Sequence, residues 1–225
     1  AGVGGLEAAR LLGLAGLDVH LIEKESFLGG IVAKLDRLYP QGTPNSHTIY
    51  PLINDVVTNR RIKIYLAAEL KKVSGKPGAY SAAITFHKPI AGCDLCKKCE
   101  EVCPIEVEDF GVKRKAIYYQ PTYPDTYQID WQSCNKCKAC VKVCNKIILD
   151  NPDTITLNIG AILNTSGLHF YDARKIEEYG YGRYEGVMNT IEFERKIVTG
   201  QIKPKRVVII ACAGSRDHKY LPYCS

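Results

Sequence analysis

The sequence predicts an α/β fold with a small cysteine-rich α+β module inserted into it. Three observations predict this: a glycine-rich opening that runs into an apolar helix and a strand, two copies of CxxCxxCxxxC offset by 41 residues, and strand-like sequence on both sides of those copies. The expected boundaries are 1–88 for the first part of the α/β domain, 89–150 for the inserted module and 151–225 for the continuation.

The opening reads AGVGGLEAARLLGLAG and then LDVHLIEKE. Apolar residues Leu6, Ala9, Leu11, Leu12 and Leu14 give a helix closed near Gly16, and Val19, Leu21 and Ile22 give a strand ending on Glu23. Glycines before a helix are a weak signal alone. An acidic residue at a strand end about 20 residues later strengthens it, because a Rossmann unit sets pyrophosphate on a helix N-terminus and a carboxylate on ribose hydroxyls. Gly2 and Gly5 then stand as the second and third glycines of the fingerprint, and Glu23 as the carboxylate. No strand precedes them, so the chain reads as starting inside a domain. Gly29 and Gly30 allow the backbone to approach a cofactor closely, or simply turn the chain.

Residues 62–88 hold two strand-like runs, IKIYLAAELKKV and AYSAAITFHK, separated by the turn signal SGKPG. After the cysteine-rich stretch, TITLNIGAILNTSG returns to strand character. TIEFERKIV then predicts a helix, and KRVVIIACAGS a buried parallel-type strand running into a glycine turn.

The two cysteine runs, CDLCKKCEEVC and CNKCKACVKVC, carry the most specific signal. A 4Fe-4S cube needs four thiolates at tetrahedral corners, and CxxCxxC wraps three of them around one cube from a tight loop. In two-cluster ferredoxins of the bacterial type the fourth cysteine of each run serves the other cluster. That rule assigns Cys93, Cys96, Cys99 and Cys144 to one cluster, and Cys134, Cys137, Cys140 and Cys103 to the other. Pro104 follows Cys103 as the pattern expects, whereas Asn145 follows Cys144. Structural zinc, the competing reading, uses CxxC pairs and leaves the other cysteines without a task.

Composition bounds the function. Of 225 residues 46% are hydrophobic, which is globular and neither disordered nor fibrous. No run of 18 apolar residues and no secretory pattern occurs, so a cytoplasmic protein without a membrane span is expected. Ligand-spaced cysteines imply a reducing compartment. The formal charge of +6 invites a nucleic-acid reading, but two loaded clusters add roughly −4, leaving the protein near neutral and no nucleic acid expected. Lys97, Lys98, Lys136, Lys138, Lys142 and Lys146 crowd the cluster loops, where they offset cluster charge and steer an acidic redox partner. No Ser/His/Asp or paired-carboxylate arrangement stands out, so no side chain is expected to be catalytic and the cofactors carry the chemistry.

These residues resemble the A-subunit family of heterodisulfide reductases, iron-sulfur flavoproteins of electron-bifurcating complexes. The resemblance rests on GLEAARLLGLAGLDVHLIEKE with Gly29 and Gly30, the inserted ferredoxin unit, EEYGYGRYEGVMNTIEFER, and CAGSRD followed by PYCS. It implies a thioredoxin-reductase-like FAD-binding domain, with Gly2, Gly5, Glu23, Lys24, Gly29 and Gly30 at FAD and Leu70 contacting it through its backbone. Thr165, Ser166 and Gly167 occupy the place of the family's second flavin-contacting segment, as TSG where relatives have ATG. It also implies partner redox subunits of the B and C type, a hydrogenase or formate dehydrogenase link, ferredoxin as a redox partner, and an oxidoreductase that acts only with its partners.

Two departures matter. Relatives often carry ligands of a further cluster where this chain has YPQGTPNSHTIYP, so that cluster is expected to be absent. The chain also stops at Cys224 and Ser225, where relatives continue. His47 reads as an exposed loop histidine, Cys212 as a small buried hydrophobe or a flavin neighbour, and Tyr179, Tyr181 and Tyr184 as a surface stripe. Two other readings stay open: a ferredoxin-linked NAD(P)H flavin oxidoreductase, and a wiring subunit without flavin.

Overall fold

The computed structural model describes residues 1–168 and 170–223; Cys224 and Ser225 lie outside the described residues. The chain divides into two compact units, one of residues 1–108 and 113–167, the other of residues 109–112 and 168–225.

In the first unit, helix α1 (Val3–Leu14) leads into strand β1 (Val19–Ile22). Two short strands, β2 (Arg37–Leu38) and β3 (Thr43–Pro44), pair antiparallel and deliver the chain to helix α2 (Asn45–Thr58). Strand β4 (Ile62–Tyr65) then lies parallel to β1, with Val19 opposite Ile62 and Ile22 opposite Tyr65. The core here gathers Leu6 and Ala9 of α1, Leu21, Leu28, Ile62, Leu66, and Ile49, Ile53 and Val56 of α2.

Helix α2 is absent from the sequence expectation, which reads its start as loop. Ile49, Ile53 and Val56 recur at helical spacing and point into the core, the signal that marks it. Pro44, Asn45, Ser46 and Pro51 mask that period. His47 is exposed as expected, but it stands in the first turn of α2 and not in a loop.

Strands β5 (Glu69–Lys76) and β6 (Ala79–Phe86) form the expected hairpin around Pro77 and Gly78. The cysteine stretch follows, comprising α3 (Lys98–Glu101), β7 (Glu106–Asp109), β8 (Val112–Lys115), β9 (Ile117–Tyr119), β10 (Tyr127–Ile129) and α4 (Ala139–Val143). The chain then re-enters the hairpin sheet as β11 (Asp153–Ile159), antiparallel to β6 from Asp153 opposite Phe86 to Ile159 opposite Tyr80. The cysteine stretch therefore leaves from one strand and returns to its neighbour.

In the second unit the expected helix forms as α5 (Thr190–Val198), closed by a capping box between Asn189 and Glu192. Tyr181 departs from a surface stripe: it is half-buried, and its hydroxyl donates to Glu192 Oε1 at 2.6 Å. Its neighbour Tyr184 is exposed. The expected buried strand in KRVVIIACAGS does not form, and Val207, Val208, Ile209 and Ile210 are exposed. A strand of this type is stable only when both edges and both faces are covered, and among the described residues of this unit no strand pairs with the segment. Cys212 is likewise exposed rather than packed, with φ of +56°.

Candidate cluster and cofactor sites

Each cysteine run folds into the same loop. Residues on either side of the middle cysteine take left-handed backbone: Leu95 (φ +54°) and Lys97 (φ +66°) around Cys96, Lys136 (φ +56°) and Lys138 (φ +63°) around Cys137. None is glycine, and each such residue carries a steric cost of about 1–2 kcal/mol. Alternating handedness of this kind turns successive backbone N–H groups toward one side and makes a concavity for an anion, a geometry found at many iron-sulfur sites. A one-turn helix, α3 or α4, follows each loop and carries the third cysteine inward.

Burial repeats with the fold. The first and fourth cysteines of each run are half-buried, the middle ones, Cys96 and Cys137, are exposed, and the third ones, Cys99 and Cys140, are buried. Cys99 and Cys140 belong to one apolar core with Ile90, Ile117, Tyr127, Ile129 and Ile147. Cys103, Cys134, Cys137 and Cys140 line a single cavity together with Ile105, Ile117, Ile129 and Leu149. Three of these four come from the second run and one from the end of the first.

The electrostatics divide the cysteines in the same way. Burial pushes the Cys99 thiol up to about 12, and the thiols that act on it are those of Cys144 and Cys93. Burial also raises Cys140, whose thiol neighbours are Cys134 and Cys103. Thiols this reluctant to ionise become ligands when metal charge offsets the cost. Among the described residues no three His, Cys, Asp or Glu side chains converge on a single-ion site. A cube holds its four sulfurs farther apart than one ion does, so a void edged by four thiols is the fitting geometry.

The second constellation lies at the N-terminus of α1. Gly2 caps the helix without any side-chain hydrogen bond, leaving first-turn N–H groups free. A Cβ on Gly30, whose φ is +56°, would meet Gly2 Cα at 2.9 Å, so two backbones lie against each other where no side chain fits. Gly29 has φ of +111°, and its N–H donates to Ala1 O at 2.9 Å. Glu23 is buried, and one carboxylate oxygen accepts from the Glu25 N–H at 2.8 Å. A Cβ on Gly5 would lie 2.9 Å from Thr165 Oγ1. Gly2, Gly5, Glu23, Gly29, Gly30 and Thr165 are thus brought together. Glycines that a Cβ would obstruct, beside a helix N-terminus and a buried carboxylate, fit a dinucleotide such as FAD.

The remaining expected contacts are less directly placed. Lys24 is exposed beside Glu23, and Ser166 and Gly167 are exposed beside Thr165. Leu70 sits in β5 opposite Ile84 and half exposed. The connection before it is tied to Glu23 by the Ala68 N–H donating to Glu23 O at 2.9 Å.

The sequence does not point to the residues that join the two constellations. Thr122 Oγ1 donates to Leu28 O, and Leu28 N–H donates to Tyr123 O at 2.9 Å. Ser26 Oγ donates to Ile129 O at 2.6 Å, Gln120 Nε2 to Ala33 O at 2.6 Å, and Tyr50 OH to Pro121 O at 2.5 Å. Phe27, Ala33 and Tyr118 form a small buried core between them. Nearby, His87 and Trp131 stack with ring centroids 3.6 Å apart. Four of these five bonds use a backbone carbonyl as acceptor and a polar side chain as donor, a pairing without a sequence period.

Residues 92–148 match the 4Fe-4S dicluster domain. The whole chain is 36% identical to the iron-sulfur A-subunit of the CoB--CoM heterodisulfide reductase of Methanocaldococcus jannaschii and covers 38% of that protein. It is 32% identical, again over its whole length and 38% of the relative, to the A-subunit of the H(2):CoB-CoM heterodisulfide,ferredoxin reductase of Methanothermobacter marburgensis. A third relative, the A-subunit of the Ferredoxin:CoB-CoM heterodisulfide reductase of Methanosarcina mazei, is 30% identical over 96% of the chain and 30% of its own length. The chain spans under two fifths of the length of these relatives. Among the described residues no helix is long and apolar enough to cross a membrane.

Proposed function

Starting from a chain that is heterodisulfide-reductase-A-like from end to end, we propose that it is the flavin and iron-sulfur portion of an electron-transfer subunit. Cys93, Cys96, Cys99 and Cys144 hold one 4Fe-4S cluster, and Cys134, Cys137, Cys140 and Cys103 hold the second. Gly2, Gly5, Glu23, Lys24, Gly29, Gly30, Leu70, Thr165, Ser166 and Gly167 hold FAD. The cavity lined jointly by Cys103 and three cysteines of the other run is the observation that supports this reading most directly.

When bound, a flavin exchanges electrons in pairs or singly and a 4Fe-4S cluster exchanges them singly. The chain's own residues do the positioning. The N–H groups opening α1 would hold a pyrophosphate and Glu23 a ribose, and the close packing of Gly30 on Gly2 would set the shape of that corner. The loops around Cys96 and Cys137 present N–H groups to each cluster, and the apolar core around Cys99 and Cys140 keeps water from them. Partner redox subunits and ferredoxin supply and drain the electrons, and this flavin-to-cluster wiring serves bifurcation, with confurcation as its reverse.

Anaerobic reconstitution tests the assignment. Iron and sulfide of about eight each per chain, a reduced spectrum of two interacting clusters and flavin bands after acid extraction are expected. A four-iron product, or a chain that binds both clusters but no flavin, overturns the corresponding part.

A further inference from the structure

The two cluster loops share one backbone shape and differ in charge. From Cys93 to Cys103, Lys97 and Lys98 stand among Asp94, Glu100 and Glu101, a net of −1. From Cys134 to Cys144, Lys136, Lys138 and Lys142 give a net of +3, and residues 131–149 contain no Asp or Glu. Folding preserves this difference. Lys136, Lys138 and Lys142 are all exposed, and none has a salt-bridge partner among the described residues.

Three acids of the cysteine stretch are already engaged. Asp130 lies 3.0 Å from Arg114 Nη2 and caps the Ser133 N–H at 3.1 Å. Asp94 draws Lys146 toward the first loop at 3.8 Å. Glu100 accepts the Tyr127 hydroxyl at 2.9 Å. Lys138 lines the same cavity as the four cysteines, and Cys137, at its rim, is exposed. Val143 and Ile148, in the same stretch, are exposed apolar side chains. A cofactor edge reached from solvent, beside unpaired lysines and a little apolar surface, suits a transient partner steered by charge.

We propose that the loop from Cys134 to Cys144 is the docking surface for an acidic one-electron carrier protein, and that the cluster held by Cys134, Cys137, Cys140 and Cys103 is the one that exchanges electrons with it. This rests on the proposed cluster assignment. In the step itself one electron leaves the reduced cluster and enters the oxidised centre of the carrier; no bond forms or breaks and no proton moves. With the opposite driving force the electron returns by the same surface. A cluster held there would meet lysine charge that favours its more negative, reduced form.

The test uses the cluster-loaded protein, reduced and mixed anaerobically with an oxidised acidic two-cluster ferredoxin. Second-order rates are read as ionic strength rises from about 0.01 M to about 1 M, where the screening length shrinks from about 30 Å to about 3 Å. The rate is expected to fall at least roughly tenfold across that range. The triple variant Lys136→Asn, Lys138→Asn, Lys142→Gln is expected to lose roughly tenfold at low salt and most of its salt dependence; asparagine keeps the left-handed backbone accessible. Lys98→Gln, in the first loop, stays within about twofold. With basic cytochrome c as acceptor, the triple variant reacts faster than the parent.

A salt-independent rate, an unchanged triple variant, or an equal loss in Lys98→Gln overturns the docking surface. So does a triple variant whose only defect is lost binding of a short DNA duplex. Iron, sulfide and electron paramagnetic resonance are read on every sample. Absent clusters in the parent refute the cluster assignment before any rate is measured, whereas normal clusters with unaltered rates refute the docking surface alone. Lys142→Gln by itself, in α4 and away from the left-handed positions Lys136 and Lys138, repeats the comparison if the triple variant loads poorly.

Discussion

Thr122 Oγ1 lies 2.7 Å from the carbonyl oxygen of Leu28, in a buried contact between the segment that joins the two cysteine runs and the residue just before Gly29. Leu28 is wholly buried, and so its carbonyl has no water to turn to. Replacing Thr122 with valine keeps the shape and removes the donor. The expected cost is about 1–3 kcal/mol, read by denaturant unfolding, together with weaker FAD retention at unchanged iron content. Equal stability and equal flavin retention would show that this bond does not anchor the Gly29 turn.

Gly30→Ala tests the close backbone approach itself. The added Cβ would sit 2.9 Å from Gly2 Cα at a residue whose φ is +56°. Flavin content after reconstitution and gel filtration is expected to fall severely, while the iron and sulfide content stays that of the parent. Gly4→Ala is the control, because nothing lies within 4 Å of its Cβ position.

The proposed crossed ligation predicts a pattern of non-additivity. Cys103→Ser and Cys134→Ser damage the same cluster, so the double variant loses about as much iron as either single one, roughly four atoms. Cys103→Ser combined with Cys93→Ser damages both clusters and loses roughly eight. Iron analysis with electron paramagnetic resonance distinguishes these outcomes; if Cys103 pairs with Cys93 in its losses, the runs are not crossed.

In the second unit, burial and the bond to Glu192 push the Tyr181 phenol up to about 12 from 10.0. A folded-state value above the unfolded one means the unfolded chain ionises first. The contribution is fully present below about pH 10 and is lost as pH rises through about 12. Tyr181→Phe is therefore expected to lower stability below about pH 10 and to flatten its decline above that point, as followed by helix circular dichroism. A decline of unchanged steepness would remove Tyr181 from this role.

How much was legible follows from whether a residue's task leaves a local pattern. The cluster loops were readable because four thiolates around one cube dictate spacing. Gly29 and Gly30 stand out in the sequence because each takes a left-handed backbone where an added Cβ would meet a neighbour within 3 Å. Helix α2 was hidden because Pro44, Asn45, Ser46 and Pro51 are turn residues by composition, and only Ile49, Ile53 and Val56 carry its period. KRVVIIACAGS was misread because an apolar β-branched run specifies what a strand wants, not that neighbours are there to pair with it. Thr122, Ser26 and Gln120 left no trace at all, since a side chain that reaches a distant carbonyl has no fixed partner in sequence.

The hydrogen bonds from Ser26, Tyr50, Gln120 and Thr122, with Phe27 and Tyr118 packed among them, also decide what sort of conductor the cysteine module can be. A carrier on a flexible arm works by swinging, and its rate drops as the solvent is thickened with glycerol. Here the module shares a wall with the Gly29 turn, so the span from one constellation to the other has no slack. Under the proposed function, transfer across it would be that of a soldered joint, set by distance and driving force and unchanged by solvent viscosity.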